Sequence, residues 1–181
     1  MIVLSALVTP VNRRGEDKVG EGTSFRCKRC NHEFSALFGC GMFDWLFLQT
    51  DSSTNKPYYH KHIDSAEVIV KVDQIVLTEE NVREEDFHHR RGMQKRKGEA
   101  PYYCLKCKTI KNNYNFRLIF TGGSYEPTYF CEKCNSELLL TYDKLRPPYG
   151  LHIVASGEPI ELHCPQCGHD EVEEYEFMNW D

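Results

Sequence analysis

The sequence predicts an α+β fold dominated by short strands, and three observations carry that prediction. Apolar residues come in short runs separated by Gly, Pro, Asn, Asp and Ser, as strands joined by turns do. Only one stretch, near 79–91, has the residue order of a capped helix. Eight of the nine cysteines fall into four C-x-x-C pairs, each following an aromatic or apolar residue within two positions, so each pair is expected to end a short strand. A chain of 181 residues with 40% hydrophobic and 27% charged residues suits a globular protein. No apolar run approaches the roughly 18 to 20 residues of a membrane span. The opening MIVLSALVTP has no basic flank or cleavage signature and reads as a first strand. The expectation is a protein inside a cell, without membrane attachment, where thiols stay reduced.

The elements follow in order. GMFDWLFLQ (41–49) is a short buried run read as a strand, and TDSSTNKPYYHKH (50–62) a turn-rich exposed loop. In AEVIVKVDQIVL (66–77), Val68, Val70 and Val72 alternate, with charged Glu67, Lys71 and Asp73 among them, which predicts a half-buried strand. TEENVREEDFHHRR (78–91) places Thr78 as an N-cap, acids first and bases last, the order a helix dipole favours. The one short helix is therefore expected near 79–91, followed by a polar loop to residue 101. NYNFRLIF (113–120) and TYF (128–130) flank TGGSYEP as a hairpin. ELLLTY (137–142) and LHIVAS (151–156) are strand-like, with a Gly-Glu-Pro turn after the second. GHDEVEEYEFMNWD (168–181) is either a final strand or an acidic linear motif. Three regions are expected in one compact unit. They are a β-rich region with the first Cys pair, helix and basic loop (1–100), a hairpin region (101–142) and a C-terminal β region with the acidic end (143–181).

The four pairs are Cys27 and Cys30, Cys104 and Cys107, Cys131 and Cys134, and Cys164 and Cys167. A C-x-x-C turn converges two thiolates on one point, and two such turns supply the tetrahedral four-sulfur set of structural zinc, with Zn–S about 2.3 Å. Four pairs in one intracellular chain point to two such sites. A redox pair would be expected at a helix N-terminus in a βαβ context, which is not seen here. An iron–sulfur cluster is the other four-thiolate possibility. Cys40, among aromatics, reads as a core thiol, and His32 and His169 as knuckle-loop residues and spare ligands in principle. Cys107 and Cys131 are separated by 23 residues that contain the hairpin. This favours a nested arrangement, with Cys104, Cys107, Cys131 and Cys134 as one site. Cys27, Cys30, Cys164 and Cys167 then form the other, across 133 residues. A sequential scheme, joining the third pair to the fourth across 29 residues and the first to the second across 73, stays open. Interleaving would cross connections.

The second and third pairs, joined by strands, resemble the zinc-ribbon class over about a quarter of the chain. That resemblance implies a structural metal and a hairpin platform in a class whose members bind nucleic acid or proteins, often within transcription, replication or RNA-processing machines. The four pairs are also similar in number to the DnaJ zinc domain, but its glycines and short spacing are missing.

With a mean hydropathy of -0.56 and short apolar runs, burial leaves little surplus over chain entropy. Bound metal is expected to supply on the order of 10 kcal/mol of folding energy.

Enzyme chemistry is not expected. Complete Cys sets leave no open metal position, and H-E-x-x-H, P-loop and G-x-S-x-G motifs are absent. His60 and His62 lack a completing ligand in sequence, and His169 and Glu171 follow the last pair rather than preceding it as a deaminase would require. Charge is more telling. Although the net charge is -5, residues 88–111 hold eight Lys/Arg against Glu99 alone, and residues 157–181 hold eight acids and no Lys or Arg. Lysines and arginines contact phosphates, and aromatics stack on single-stranded bases. The candidate nucleic-acid surface is therefore Arg90, Arg91, Lys95, Arg96, Lys97, Lys106, Lys108, Lys111 and Arg117, with Tyr102, Tyr103 and Tyr114. The leading expectation is a non-catalytic two-zinc protein that contacts nucleic acid as a subunit or accessory factor of a larger complex. A zinc-stapled protein–protein adaptor is the alternative, and a thiol-redox or metal-delivery protein a more distant one.

Overall fold

A computed structural model describes residues 20–39, 47–85, 97–144, 152–155 and 158–180. Along the chain run strands β1 (Gly20–Cys27), β2 (Glu33–Phe38), β3 (Thr50–Asp51) and β4 (Lys56–Pro57). Helices α1 (Tyr59–His62) and α2 (Ala66–Thr78) come next, then β5 (Arg83–Glu84), β6 (Gly98–Cys104), β7 (Thr109–Asn115), β8 (Leu118–Phe120) and β9 (Gly123–Tyr125). The chain closes with β10 (Leu139–Lys144), β11 (His152–Ala155), β12 (Glu158–Pro159) and β13 (Val172–Trp180). The expected β-rich α+β class is observed, with antiparallel sheets throughout.

Two sheets organise the molecule. One has the order β13-β1-β2, joining the acidic C-terminal strand to the first described strand. The other has the order β12-β11-β10-β6-β7 and takes strands from all three sequence regions. Successive residues of a strand point to opposite faces, and β6 uses this to serve two cores. Tyr102 enters a large core with Phe47, Tyr59, Val68, Val72, Ile75, Phe116 and Leu118. Tyr103, its neighbour, enters a smaller core with Phe25, Ala36, Phe38 and Ile110, between the two sheets. The facing edges of these sheets are clamped by one side chain. Asn112 Oδ1 accepts from the Leu37 N–H at 3.0 Å while its Nδ2 donates to the Ser35 carbonyl at 2.9 Å. The Gly39 N–H adds a backbone bond to Glu99 at 3.0 Å.

The helix lies elsewhere than expected. Residues 66–77 form α2, not a strand, and residues 79–85 are not helical but bend at 80–81 and enter β5; residues 86–91 of the expected helix lie outside the described residues. The physical reason is which valines meet the core. Val68, Val72 and Ile75, at helical spacing i, i+4 and i+7, are buried, whereas Val70 is 67% exposed. Ser65, not Thr78, is the N-cap, its Oγ accepting from the Val68 N–H at 3.4 Å. The β-branched residues of this segment favour a strand locally, and packing overrides that preference. Thr78 ends the helix, its hydroxyl donating to the Gln74 carbonyl at 2.8 Å. The acids beyond it meet cations in space instead of a helix dipole. Glu84 meets Lys97 at 2.5 Å and Glu85 meets Arg117 at 3.1 Å, while β5 pairs with β8.

The expected exposed loop at 50–62 is a β3–β4 hairpin followed by α1, with Tyr59 buried and its hydroxyl donating to Asp73 at 2.5 Å. Of the run 41–49 expected as a strand, residues 41–46 lie outside the described residues and 47–48 form a turn whose Phe47 is buried in the large core. The expected N-terminal strand and Cys40 also lie outside them. The hairpin expected over 113–130 is tighter and shifted: residues 113–115 belong to β7, β8 pairs with β9, which lies inside the segment expected as the turn, and of 128–130 only Phe130 makes a bridge, to Glu137. The strands expected at 137–142 and 151–156 are β10 and β11. Among the described residues no helix is long and apolar enough to cross a membrane.

Candidate metal centres

The eight paired cysteines gather into two clusters, in the nested arrangement. Cys27 and Cys30 meet Cys164 and Cys167; Cys104 and Cys107 meet Cys131 and Cys134. Within each cluster all four sulfurs lie within 4.8 Å of one another. Cys27 Sγ is 3.6 Å from Cys167 Sγ, and Cys30 Sγ is 3.6 Å from Cys164 Sγ. In the second cluster Cys104–Cys134 is 3.5 Å and Cys107–Cys131 is 3.9 Å. A disulfide would bring two sulfurs to about 2.05 Å. A regular tetrahedron with metal–sulfur bonds of about 2.3 Å separates its sulfurs by about 3.8 Å. Both clusters therefore match a four-thiolate site, and each can hold one metal ion.

The four turns share one local design. The residue after each second cysteine has a left-handed backbone: Asn31 (φ 57), Lys108 (φ 58), Asn135 (φ 55) and Gly168 (φ 74). Its N–H returns to the carbonyl of the first cysteine at 2.8 to 2.9 Å in every case. In three turns the first cysteine's N–H donates to the residue five positions on, His32, Ser136 or His169. In the fourth, Cys104 is instead paired with Thr109 in the β6–β7 ladder. Asn and Gly tolerate the left-handed region; Lys pays a steric penalty of about 1 kcal/mol there. Strands end at Cys27 and Cys104, and a single β-bridge at Phe130 precedes Cys131. The fourth pair follows residues 160–163, which are not in a strand.

Electrostatics show why such a cluster calls for a cation. Burial opposes ionisation of Cys27, but the Cys30 and Arg29 backbone groups outweigh it and bring the thiol down to about 6. The His32 backbone lowers Cys30, yet burial and the three neighbouring sulfurs push it up to about 12. In the second cluster the Ser136 hydroxyl and N–H lower Cys134 to about 6, while Cys134 chiefly pushes Cys107 up to about 12. One thiolate in each cluster discourages the next. A divalent ion removes that conflict and takes all four sulfurs deprotonated.

The clusters are neighbours. The His163 N–H, one residue before Cys164, donates to the Lys108 carbonyl, one residue after Cys107, at 2.7 Å. Lys133, between Cys131 and Cys134, donates to the Pro165 carbonyl between Cys164 and Cys167. Tyr103 donates to the Glu161 carbonyl at 2.9 Å, and the Lys28 N–H to the Glu171 carbonyl at 3.0 Å. All four turns are thus linked through backbone carbonyls around the fourth.

The expected aromatic platform is not on the surface. Tyr102, Tyr103 and Tyr114 are only 4%, 2% and 1% exposed, so none can stack on a base. Tyr102 meets Tyr129 edge-on, and Tyr114 stacks on Phe47 at 5.2 Å. Three of the expected cations are held by acids: Lys97 by Glu84, Lys111 by Glu132, and Arg117 by Glu85 at 3.1 Å and Glu126 at 3.4 Å. Arg90, Arg91, Lys95 and Arg96 lie outside the described residues. Lys106 and Lys108 remain at the second turn, Lys106 exposed and without an ion-pair partner among the described residues.

Sequence reasoning missed Lys28, Arg29 and Lys133, which occupy the same kind of turn. Arg29 is exposed and, like Lys106, has no ion-pair partner among the described residues. The signal was present in C-K-R-C, C-L-K-C and C-E-K-C: three of four turns carry a cation between their cysteines. His60 meets Asp73 at 3.1 Å and His62 packs against Tyr114, so they are not paired on a common ligand point. His169 lies beside Asp170 at 3.4 Å. No protein-family model matches the chain, and comparison with curated proteins and with solved structures finds no significant match.

Proposed function

We propose that the chain is a non-catalytic, two-zinc nucleic-acid-binding protein that works as a subunit or accessory factor of a larger complex. Zinc is the metal favoured by two complete four-thiolate sets with tetrahedral spacing. Such sets leave no coordination position for substrate, which supports a structural role. The observation that carries the nucleic-acid reading is the linkage of the cysteine turns, which gathers the cations they carry. Arg29 and Lys106 stand exposed there, and Lys28, Lys108 and Lys133 sit in or beside the same turns. Phosphate binding by such a surface is electrostatic and needs none of the buried tyrosines. Arg90, Arg91, Lys95 and Arg96 add further positive charge to the chain.

The test is fluorescence anisotropy of a labelled single-stranded oligonucleotide, RNA and DNA in turn, across a salt series. Substituting Arg29, Lys106 and Lys133 together by Gln should flatten the salt dependence by about 2 on a log–log plot, with two metals per chain retained by native mass spectrometry. No binding at low salt overturns the reading. Binding that survives the triple substitution but is lost when Arg90, Arg91, Lys95 and Arg96 are changed moves the site to that run.

A further inference from the structure

We propose that the outer edge of β13 accepts an extended, Lys/Arg-bearing segment of a partner protein as an added strand. β13 borders its sheet, and among the described residues only β1 pairs with it. The two edges of this sheet are treated differently. At the β2 edge, Asn112 engages the backbone of Ser35 and Leu37, and Gly39 bonds to Glu99. Along β13, residues 173–177 are exposed in succession, both faces alike. Tyr175 and Phe177 are 40% and 50% exposed, a large apolar area for a strand whose outer edge has no partner among the described residues.

Natural edge strands are commonly blunted by Lys, Pro or a bulge. β13 contains neither Lys nor Pro. It does contain an irregularity, where the register with β1 shifts between Ser24 and Phe25 and leaves Tyr175 without a partner. Tyr175 is held down on the sheet, its hydroxyl donating to Glu33 at 3.0 Å and its ring lying under Arg26 at 4.4 Å. Beyond it the register is regular from Glu176 opposite Ser24 to Trp180 opposite Gly20, the length of an ordinary strand.

Charge selects the occupant. Glu173 has Lys28 at 3.9 Å, but Glu174 and Glu176 have no cationic partner among the described residues. Two copies of this edge would set those carboxylates close to one another, which is destabilising. Phosphates are repelled for the same reason. A strand alternating Lys or Arg with apolar residues meets the free backbone groups, the carboxylates and the exposed rings together, the recognition mode of β-strand addition. The surface adjoins the first cysteine turn, where Glu173 meets Lys28, and runs away from it toward Trp180.

The probe is a fluorescein-labelled eight-residue peptide alternating Lys and Val, titrated into the full metal-loaded chain. Binding is expected to protect the amides of β13 from hydrogen exchange. Glu174→Lys with Glu176→Lys should weaken it at least tenfold while two metals per chain are retained. A peptide alternating Glu and Val, which needs no change in the protein, should not bind. A peptide of equal charge with Pro in place of alternate Val should bind at least tenfold more weakly, because it cannot complete a ladder. Equal binding of the Pro peptide overturns the proposal in favour of charge alone. Absence of binding at low salt, protection outside β13, or concentration-dependent dimerisation through β13 overturns it as well.

Discussion

The backbone N–H of His163 donates to the carbonyl of Lys108 at 2.7 Å, and this bond joins the two cysteine clusters, since His163 precedes Cys164 and Lys108 follows Cys107. The first consequence concerns metal loading. The cluster containing Cys104 closes across 23 residues and the one containing Cys27 across 133, a difference of about 1.5 kcal/mol in loop-closure entropy. The first cluster also exposes Cys30 and Cys167, whereas Cys107 and Cys134 are only partly exposed. The local cluster should therefore load first and present the Lys108 carbonyl to the other. Cys104→Ser with Cys131→Ser is expected to empty both sites, whereas Cys30→Ser with Cys167→Ser leaves one metal. Native mass spectrometry of each variant at limiting zinc measures this directly.

Lys108 is the one residue among the four left-handed turn positions that is neither Asn nor Gly. Lys108→Asn should relieve about 1 kcal/mol of backbone strain and raise the thermal midpoint. The same change removes a cation from the proposed phosphate-binding surface. A variant that is more stable yet binds an oligonucleotide more weakly at low salt would separate the two roles. A variant that is less stable would show that the Lys108 ammonium contributes to folding.

The two valines that best separate the strand and helix readings of 66–77 are Val70 and Val72. Val72 is fully buried in the large core, and Val72→Ala should cost about 2 kcal/mol through lost transfer energy and the cavity left behind. Val70 faces solvent, and Val70→Ala should change stability by less than about 0.5 kcal/mol. On a strand both would share one face and behave alike. Urea unfolding of the two variants, with metal content held equal, gives the comparison.

Asp51 is buried at the β3–β4 turn. The Lys61 ammonium, then the Ser53 N–H and hydroxyl, hold its carboxyl well below the usual carboxylate range. A depressed folded-state pKa contributes stability above the unfolded value, about 3.9, and that contribution is lost as the pH falls toward the folded value. Asp51→Asn should therefore be less stable than the parent at pH 7. The gap should stay constant between about pH 8 and pH 5 and narrow below about pH 4. Acid also strips metal from thiolates, but from parent and variant together, so the difference between their melting curves isolates the carboxylate.

Residue types and spacings were enough to single out the eight paired cysteines and their four turns, and to favour without deciding the nested grouping that the structure shows. These features depend on local chemistry: a C-x-x-C turn converges sulfurs wherever it occurs, and a short connection keeps two turns together. The β-rich class was legible for the same reason, from turn residues and short apolar runs. Tertiary structure decided what local pattern could not. A run such as Val68-Ile69-Val70-Lys71-Val72 satisfies both strand and helix periods, and only the position of the large core selects the helix. Tyr102, Tyr103 and Tyr114 look equally suited to an aromatic surface or an interior, and the packing of β6 and β7 buries all three. Lys97, Lys111 and Arg117 are bases in sequence and ion-paired groups in space, because their acids arrive from other parts of the chain. Arg29 and Lys106 have no ion-pair partner among the described residues, and only the folded chain links the three cation-bearing turns to the fourth.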